Sequence, residues 1–161
     1  MTGNTGVINS SPLILLGKLR RLDILEQMTP SVFVPEAVFR EIEVGVYKDA
    51  TAKSTLAWAD SRRISDIDVP HSIVAWDLGP GESQVIAHCL VKSCRAILDD
   101  GKARACAITH SVKVIGVLGI LLRAKEQGVI SAARPLVMQL RAQGSFLDSR
   151  LIEQSLANIG E

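Results

Sequence analysis

The stretch CRAILDDGKARACAITH, residues 94–110, joins a short apolar run to an alanine-rich one through two adjacent aspartates. RAIL (95–98) reads as a buried strand and KARACAITH (102–110) as a helix, so Asp99 and Asp100 fall where strand gives way to helix. Like charges side by side repel. Either the pair is an N-cap with a first-turn acid, or it shares a cation with carboxylates from elsewhere in the chain. Which of these holds depends on what else the fold brings there.

Outward from this junction, strand and helix patterns alternate. TGVIN (5–9) reads as a strand, and SPLILLGKLRRLDILEQM (11–28) as one helix with Leu13, Leu16, Leu19 and Leu22 at helical spacing. SVFVP (31–35) is a second strand. It leads into a helix over 36–47, with Ala37, Val38, Ile42 and Val46 on one face. ATAKSTLAWAD (50–60) is helical, and residues 62–76 read as short, β-rich and irregular. Gly79-Pro80-Gly81 is a turn ahead of a helix over 82–92, whose apolar face is Val85, Ile86, Cys89 and Leu90. After the 94–110 junction, VKVIG (112–116) is the next strand and 117–128 the next helix, with Gly116 and Gly119 permitting close helix-on-sheet packing. Helices over 133–144 and 148–160 close the chain. Asp148 caps the second of these, and Leu151, Leu156 and Ile159 form a stripe for peripheral or dimer packing.

Short apolar strands with helical crossovers predict an α/β sandwich of three layers: a mostly parallel sheet of four or five strands with helices on both faces. One domain over 1–161 is expected, its core about 6–130 and its C-terminal helices about 131–161.

Composition narrows the function classes. Hydrophobic residues at 47% and charged residues at 22% are a globular mixture, which sets aside a disordered chain. No apolar run reaches the roughly 18 residues that span a bilayer, and no basic segment precedes the first apolar run as in a signal peptide. Cys89, Cys94 and Cys106 are odd in number and form no C-x-x-C pair, which argues against a disulfide scaffold and structural zinc. A reduced, cytoplasmic protein is expected. Charge is unevenly placed: residues 23–100 hold thirteen acids against seven bases, and residues 101–150 two acids against eight bases. An acidic centre with a basic flank suits a polyanion brought to bound metal ions, although solvated helix faces produce the same bias.

Open parallel sheets place their sites outside the carboxyl ends of the strands. Asn9 ends the first strand there and Asp99-Asp100 the third. Glu82 lies in the first turn of its helix, and Glu41 about two turns into the helix after the second strand. Each alone has an ordinary explanation, Glu82 as a favourable charge at a helix N-terminus and Glu41 as a solvated residue. Gathered in one cleft, they point to oxygen ligands without His or Cys. Such a set suits Mg²⁺ or Mn²⁺ and metal-assisted phosphodiester hydrolysis.

In order, the blocks VINSSPLILLGKLRRLDIL, VFVPEAVFREI, LGPGESQVIAHCL, AILDDGKARACA and VIGVLGILLRAKEQGVI resemble those of PIN domains. The resemblance runs from about residue 6 to the C-terminus. It is nearest to the VapC-like, domain-of-unknown-function branch with the L-D-D-x-x-A-R block. It implies a parallel-sheet sandwich and a Mg²⁺- or Mn²⁺-dependent endoribonuclease, with acidic ligands matching Asn9, Glu41, Glu82 and Asp100, or Asp99 in place of the last. Ser11 matches a supporting hydroxyl, and Arg104 the arginine of the L-D-D-x-x-A-R block. On this reading Asp100 faces the metal while its neighbour caps the helix or binds through water. Two departures stand out: Asn9 replaces an aspartate, and Ile115 and Val117 replace small polar residues.

The leading expectation is a toxin-type ribonuclease restrained by a small antitoxin protein, with Lys102, Arg104 and Arg123 positioning the phosphates of RNA and homodimerisation common in the family. The alternative, favoured by Asn9, is a catalytically weak or inactive module that binds RNA or protein. A phospho-receiver is rejected, because its Asp pair belongs after the first strand, with the phosphorylated Asp in a later strand, and here only Asp148 follows Asp100, at a helix start.

Overall fold

The structure, a computed structural model, describes residues 4–46, 49–145 and 147–161. Five strands form a wholly parallel sheet: β1 (Thr5–Ile8), β2 (Ser31–Pro35), β3 (Arg63–Ile64), β4 (Arg95–Ile97) and β5 (Val114–Ile115), in the order β3-β2-β1-β4-β5. The chain first builds outward from β1 to β3, then returns to lay β4 on the other side of β1. The strand order therefore reverses between β1 and β4, and the crevice at the carboxyl ends of that pair is where an open sheet admits a ligand. Ile8 lies opposite Ile97 in register, and the Asn9 amide donates to the Ile97 carbonyl at 3.1 Å, so Asn9 and Asp99 leave neighbouring strand ends.

Ten helices connect and cover the strands among the described residues. The expected single helix over 11–28 is two: α1 (Ser10–Lys18) and α2 (Leu22–Met28). Arg20 turns left-handed at φ 57, and the Arg20 and Arg21 amides bond back to the Gly17 and Leu16 carbonyls, a C-terminal cap that reverses the chain. That bend lets Ile24 and Leu25 reach the core beside Leu13 and Leu16. Helix α3 (Glu36–Val44) ends before Val46, which lies in a turn, half-buried; Tyr47, the last residue of the expected helix, lies outside the described residues. Helix α4 (Ala50–Asp60) is capped by Asp49, which accepts from the Thr51 and Ala52 amides.

The irregular stretch after Arg62 supplies the edge strand β3 and one turn of helix, α5 (His71–Val74). Helix α6 (Pro80–Lys92) starts at Pro80 rather than beyond it, because a proline fits the first helical position. Leu90 is 39% exposed and leaves the buried face to Val85, Ile86 and Cys89. Helices α7 (Gly101–Thr109), α8 (Val117–Glu126), α9 (Arg134–Ala142) and α10 (Ser149–Asn158) follow. In α10 the buried side chains are Ile152 and Leu156, with Ile159 packed beside them. Leu151 stands 48% exposed, so Ile152 takes its place in the expected stripe while Leu156 and Ile159 keep theirs. Glu161 accepts from the Ala133 and Arg134 amides and ties the chain end to the start of α9.

The core is mainly aliphatic, from Val7 and Ile8 on β1 to Ile120 and Leu121 on α8, with Phe39 also buried in it. The three cysteines are free and buried, with the sulfurs of Cys89 and Cys94 3.3 Å apart. No helix of the described residues is long and apolar enough to cross a membrane.

Candidate functional site

Asn9 occupies the N-cap position of α1 with extended backbone, where an asparagine oxygen ordinarily accepts an amide of the first turn. It makes no such bond. Its side chain is 4% exposed, and Oδ1 is buried without a partner. Across the β1–β4 crevice, Asp99 Oδ1 accepts from the Val117 amide at 3.0 Å, the first residue of α8, while Oδ2 is buried without a partner. Burial pushes the Asp99 carboxyl above the ordinary range, against the opposing pull of the Val117 amide and the Arg104 charge. Two oxygens on adjacent strand ends are thus withdrawn from water with nothing in the chain to receive them. Such groups are rare in folded proteins because each costs about 1–3 kcal/mol.

The helix cap expected of Asp99 falls on Asp100. Asp100 is the cap: its Oδ2 accepts from the Ala103 amide at 2.9 Å at the start of α7. Asp99 is the more buried of the two. Both line an open cleft of about 600 Å³ together with Ser11 and Glu82. Glu82, in the first turn of α6, reaches back to the Gly79 amide at 3.3 Å. Its carboxyl is raised first by burial, then by the negative charges of Asp100 and Glu41.

Glu41 stands beside this cleft rather than among its lining residues. Its Oε1 accepts from the Gly81 amide at 3.0 Å and its Oε2 from the Ser10 hydroxyl at 2.7 Å, so it joins the starts of α1 and α6 to α3. A Cβ on residue 81 would lie 2.6 Å from Glu41 Oε1, so glycine is what lets the carboxylate approach. Ser10 makes the supporting hydroxyl bond, and Ser11 lines the cleft. In the tandem serines of NSSP nothing local distinguishes the two.

Arg104 donates from Nη1 to the Leu98 carbonyl at 3.0 Å, next to Asp99. Gly116 makes that neighbourhood possible, since a Cβ there would fall 2.6 Å from Asp99 Oδ1 and 2.9 Å from Arg104 Nη1. Gly119 has the role expected of both, since a Cβ there would lie 2.9 Å from Ile115 Cγ1. On this flank Arg104 and Arg123 line a second cavity of about 430 Å³ that shares Asp99 and Leu147 with the acidic cleft. Lys102 is exposed at the start of α7, and its charge eases the shift on Glu82. Gly144, Ser145 and Leu147, between α9 and α10, wall the cleft. The segment before α10 therefore belongs to the site as well as to the periphery, which its sequence pattern did not signal.

Among the described residues, no three His, Cys, Asp or Glu side chains are gathered closely enough to hold one ion by themselves. The donors are all oxygens: the unpartnered Asn9 Oδ1 and Asp99 Oδ2, and the cleft carboxylates of Glu82 and Asp100. This set fits a hard divalent cation that keeps several waters and binds through one or two carboxylates. It does not fit a closed cage of protein ligands. Comparison with protein families matches residues 5–161 to a PIN-domain family.

The chain belongs to the PIN-domain family. No curated protein is similar enough to match it. As a PIN domain it has a nuclease-like fold, and PIN domains generally use divalent metal ions. In this PIN domain the first strand ends in an asparagine, so the crevice carries one formal negative charge fewer than an aspartate there would supply.

Proposed function

We propose that this PIN domain is a Mg²⁺- or Mn²⁺-dependent endoribonuclease of VapC-like, toxin–antitoxin type that hydrolyses phosphodiester bonds of RNA. The observation that carries the reading is the pair of buried, unpartnered oxygens, Asn9 Oδ1 and Asp99 Oδ2, flanking the β1–β4 switch at an acidic cleft. These residues would hold a divalent cation, which would supply charge to polarise a phosphodiester and to activate water. Asp99, anchored through Oδ1 to the Val117 amide, offers Oδ2 as the anionic donor, and Asn9 a neutral one. Glu82, its carboxyl raised above the ordinary range, accepts a proton from water more readily than an ordinary glutamate does. Arg104 and Arg123, in the adjoining cavity, hold RNA phosphates while Lys102 offsets the acidic charge. Glu41 keeps the helix starts of α1 and α6 in place.

Fluorescent single-stranded RNA incubated with each metal tests this. Activity should be low and greater with Mn²⁺ than with Mg²⁺, because Mn²⁺ tolerates a poorer ligand set. Asp99→Asn should lower cleavage on the order of 100-fold. Asp99→Asn, purified in the same way, also controls for contaminating nuclease. Asn9→Asp should tighten metal binding and raise cleavage. The toxin setting draws on the block resemblance, and with it come a small antitoxin protein as partner and self-association; a short adjoining reading frame with a DNA-binding pattern is the observation that would support it.

Asn9 itself favours a second reading, a non-catalytic module that binds RNA or protein. If Asn9→Asp binds metal more tightly yet cuts no RNA, that reading takes the place of the nuclease.

A further inference from the structure

Arg95 begins β4, the strand whose far end leads to Asp99. Arg95 lines a cavity of about 340 Å³ at the amino ends of the strands, and Arg123 of α8 lines the same cavity. No acidic residue contributes to the lining, which is completed on its polar side by Asn4, Gln27, Thr29 and Gln127. Among the described residues, neither arginine side chain makes a hydrogen bond or an ion pair. Arg62, Arg63 and Arg134, by comparison, are each bonded to carboxylates. Burial, then the charge of Arg123, disfavours the charged form of Arg95.

Two guanidiniums brought to one polar cavity without an anion repel each other, and the fold gains nothing visible from the arrangement. A phosphate group removes the repulsion. It carries the opposite charge, accepts several hydrogen bonds at once and matches the planar fork of arginine. Hydroxyl and amide donors of Thr29, Asn4 and the two glutamines can complete its coordination. The cavity is distinct from the acidic cleft, but Arg123 lines both this cavity and the one that contains Asp99.

We propose that Arg95 and Arg123 form a phosphate-binding site at the amino ends of the strands, separate from the acidic cleft. The phosphate comes either from an RNA strand that continues past Arg123 or from a free phosphorylated small molecule. In the first case the site is a subsite for RNA remote from the cut and deepens the nuclease reading; in the second it stands without that reading.

The test uses the whole chain in EDTA, so that metal and catalysis play no part. Inorganic phosphate, against sodium chloride at matched ionic strength, should raise the thermal midpoint of the wild type and leave Arg95→Gln unmoved. Gln127→Glu, at an exposed position, places a negative charge on the cavity and should also abolish the shift, which covers the case of Arg95→Gln folding poorly. In a second arm, a fluorescent oligouridylate is titrated. If RNA supplies the phosphate, both variants should bind about tenfold more weakly. The slope of log affinity against log salt should then fall by about 0.7. A phosphate shift without any change in oligonucleotide binding assigns the site to a free phosphorylated molecule. If neither phosphate nor oligonucleotide distinguishes wild type from the variants, the proposal is overturned. Failure of the nuclease reading shows elsewhere, as RNA left intact with Mn²⁺, and does not alter these readings.

Discussion

The β2–β3 edge and the β1–β4 crevice of this sheet treat charge in opposite ways. At the β2–β3 edge, acids and bases are matched: Arg63 bonds Glu36 and Asp60, Arg62 bonds Glu26, and Arg40 reaches Asp66. Their guanidiniums also cover aromatic rings, Arg62 over Trp58 and Arg63 over Phe39. At the β1–β4 crevice, Glu41, Glu82, Asp99 and Asp100 lie near one another, and among the described residues none is ion-paired. The first region holds its charges for cohesion. The second holds them against cohesion, which is the arrangement expected where the compensating cation comes from outside the chain.

The sharpest way to break this comparison is to supply the cation. At a hundredfold excess over its dissociation constant, Mn²⁺ should raise the thermal midpoint by about 5–10 °C. Asp99→Asn should remove most of that rise, and Glu36→Gln at the paired edge should leave it intact. Equal rises in both variants would put the ion elsewhere.

Without metal, the signs of the two regions should separate. Glu82→Gln deletes a charge that burial and its acidic neighbours disfavour, and should raise the midpoint by about 1–3 °C, a modest figure because the group is largely solvated. Asp99→Asn should raise it further, being more deeply buried. Glu36→Gln should lower it, since Arg63 holds that carboxyl below its ordinary range. Differential scanning fluorimetry in EDTA reads all three. A loss of stability in Glu82→Gln would mean its bond to Gly79 outweighs the crowding.

The smallest effect is on pH dependence. A carboxyl raised in the native state penalises folding above its native pKa and no longer does so once protonated in both states. The metal-free protein should therefore gain slightly in stability as pH falls from neutrality through the raised values of Glu82 and Asp99. At lower pH the carboxyls held below their ordinary range, Asp23 and Glu36, lose their stabilising charge and reverse the trend. With Mn²⁺ present the early gain should vanish, because the metal needs those carboxyls ionised.

Much of this was legible in the chain because strands that end in polar residues mark the carboxyl edge of a parallel sheet. TGVIN and RAILDD announce both sides of the crevice, and GPGES announces the helix that brings in Glu82. The left-handed turn at Arg20 was not legible, since no glycine marks it and the leucine spacing runs through it unbroken. Strand β3 is two residues long and exists only through its pairing with β2, a partner about thirty residues away. The cap could not be placed on Asp100 rather than Asp99 from sequence, because both sit within one residue of the helix start. The Arg95–Arg123 cavity was equally hidden: neighbours across an edge of the sheet leave no local period.

The pairing of β1 with β4 has a kinetic side. Val7 and Ala96 are about ninety residues apart in the chain, whereas β1 meets β2 across less than thirty. Closing the longer loop costs more entropy before any contact rewards it, so the crevice is expected among the later parts of the molecule to assemble. A cation that binds only the assembled crevice then acts after the folding barrier, and its effect falls on unfolding, which it slows, rather than on folding, which it leaves nearly unchanged. The lifetime of the native state, and with it resistance to proteolysis, would follow the metal supply while the rate at which new chains fold would not.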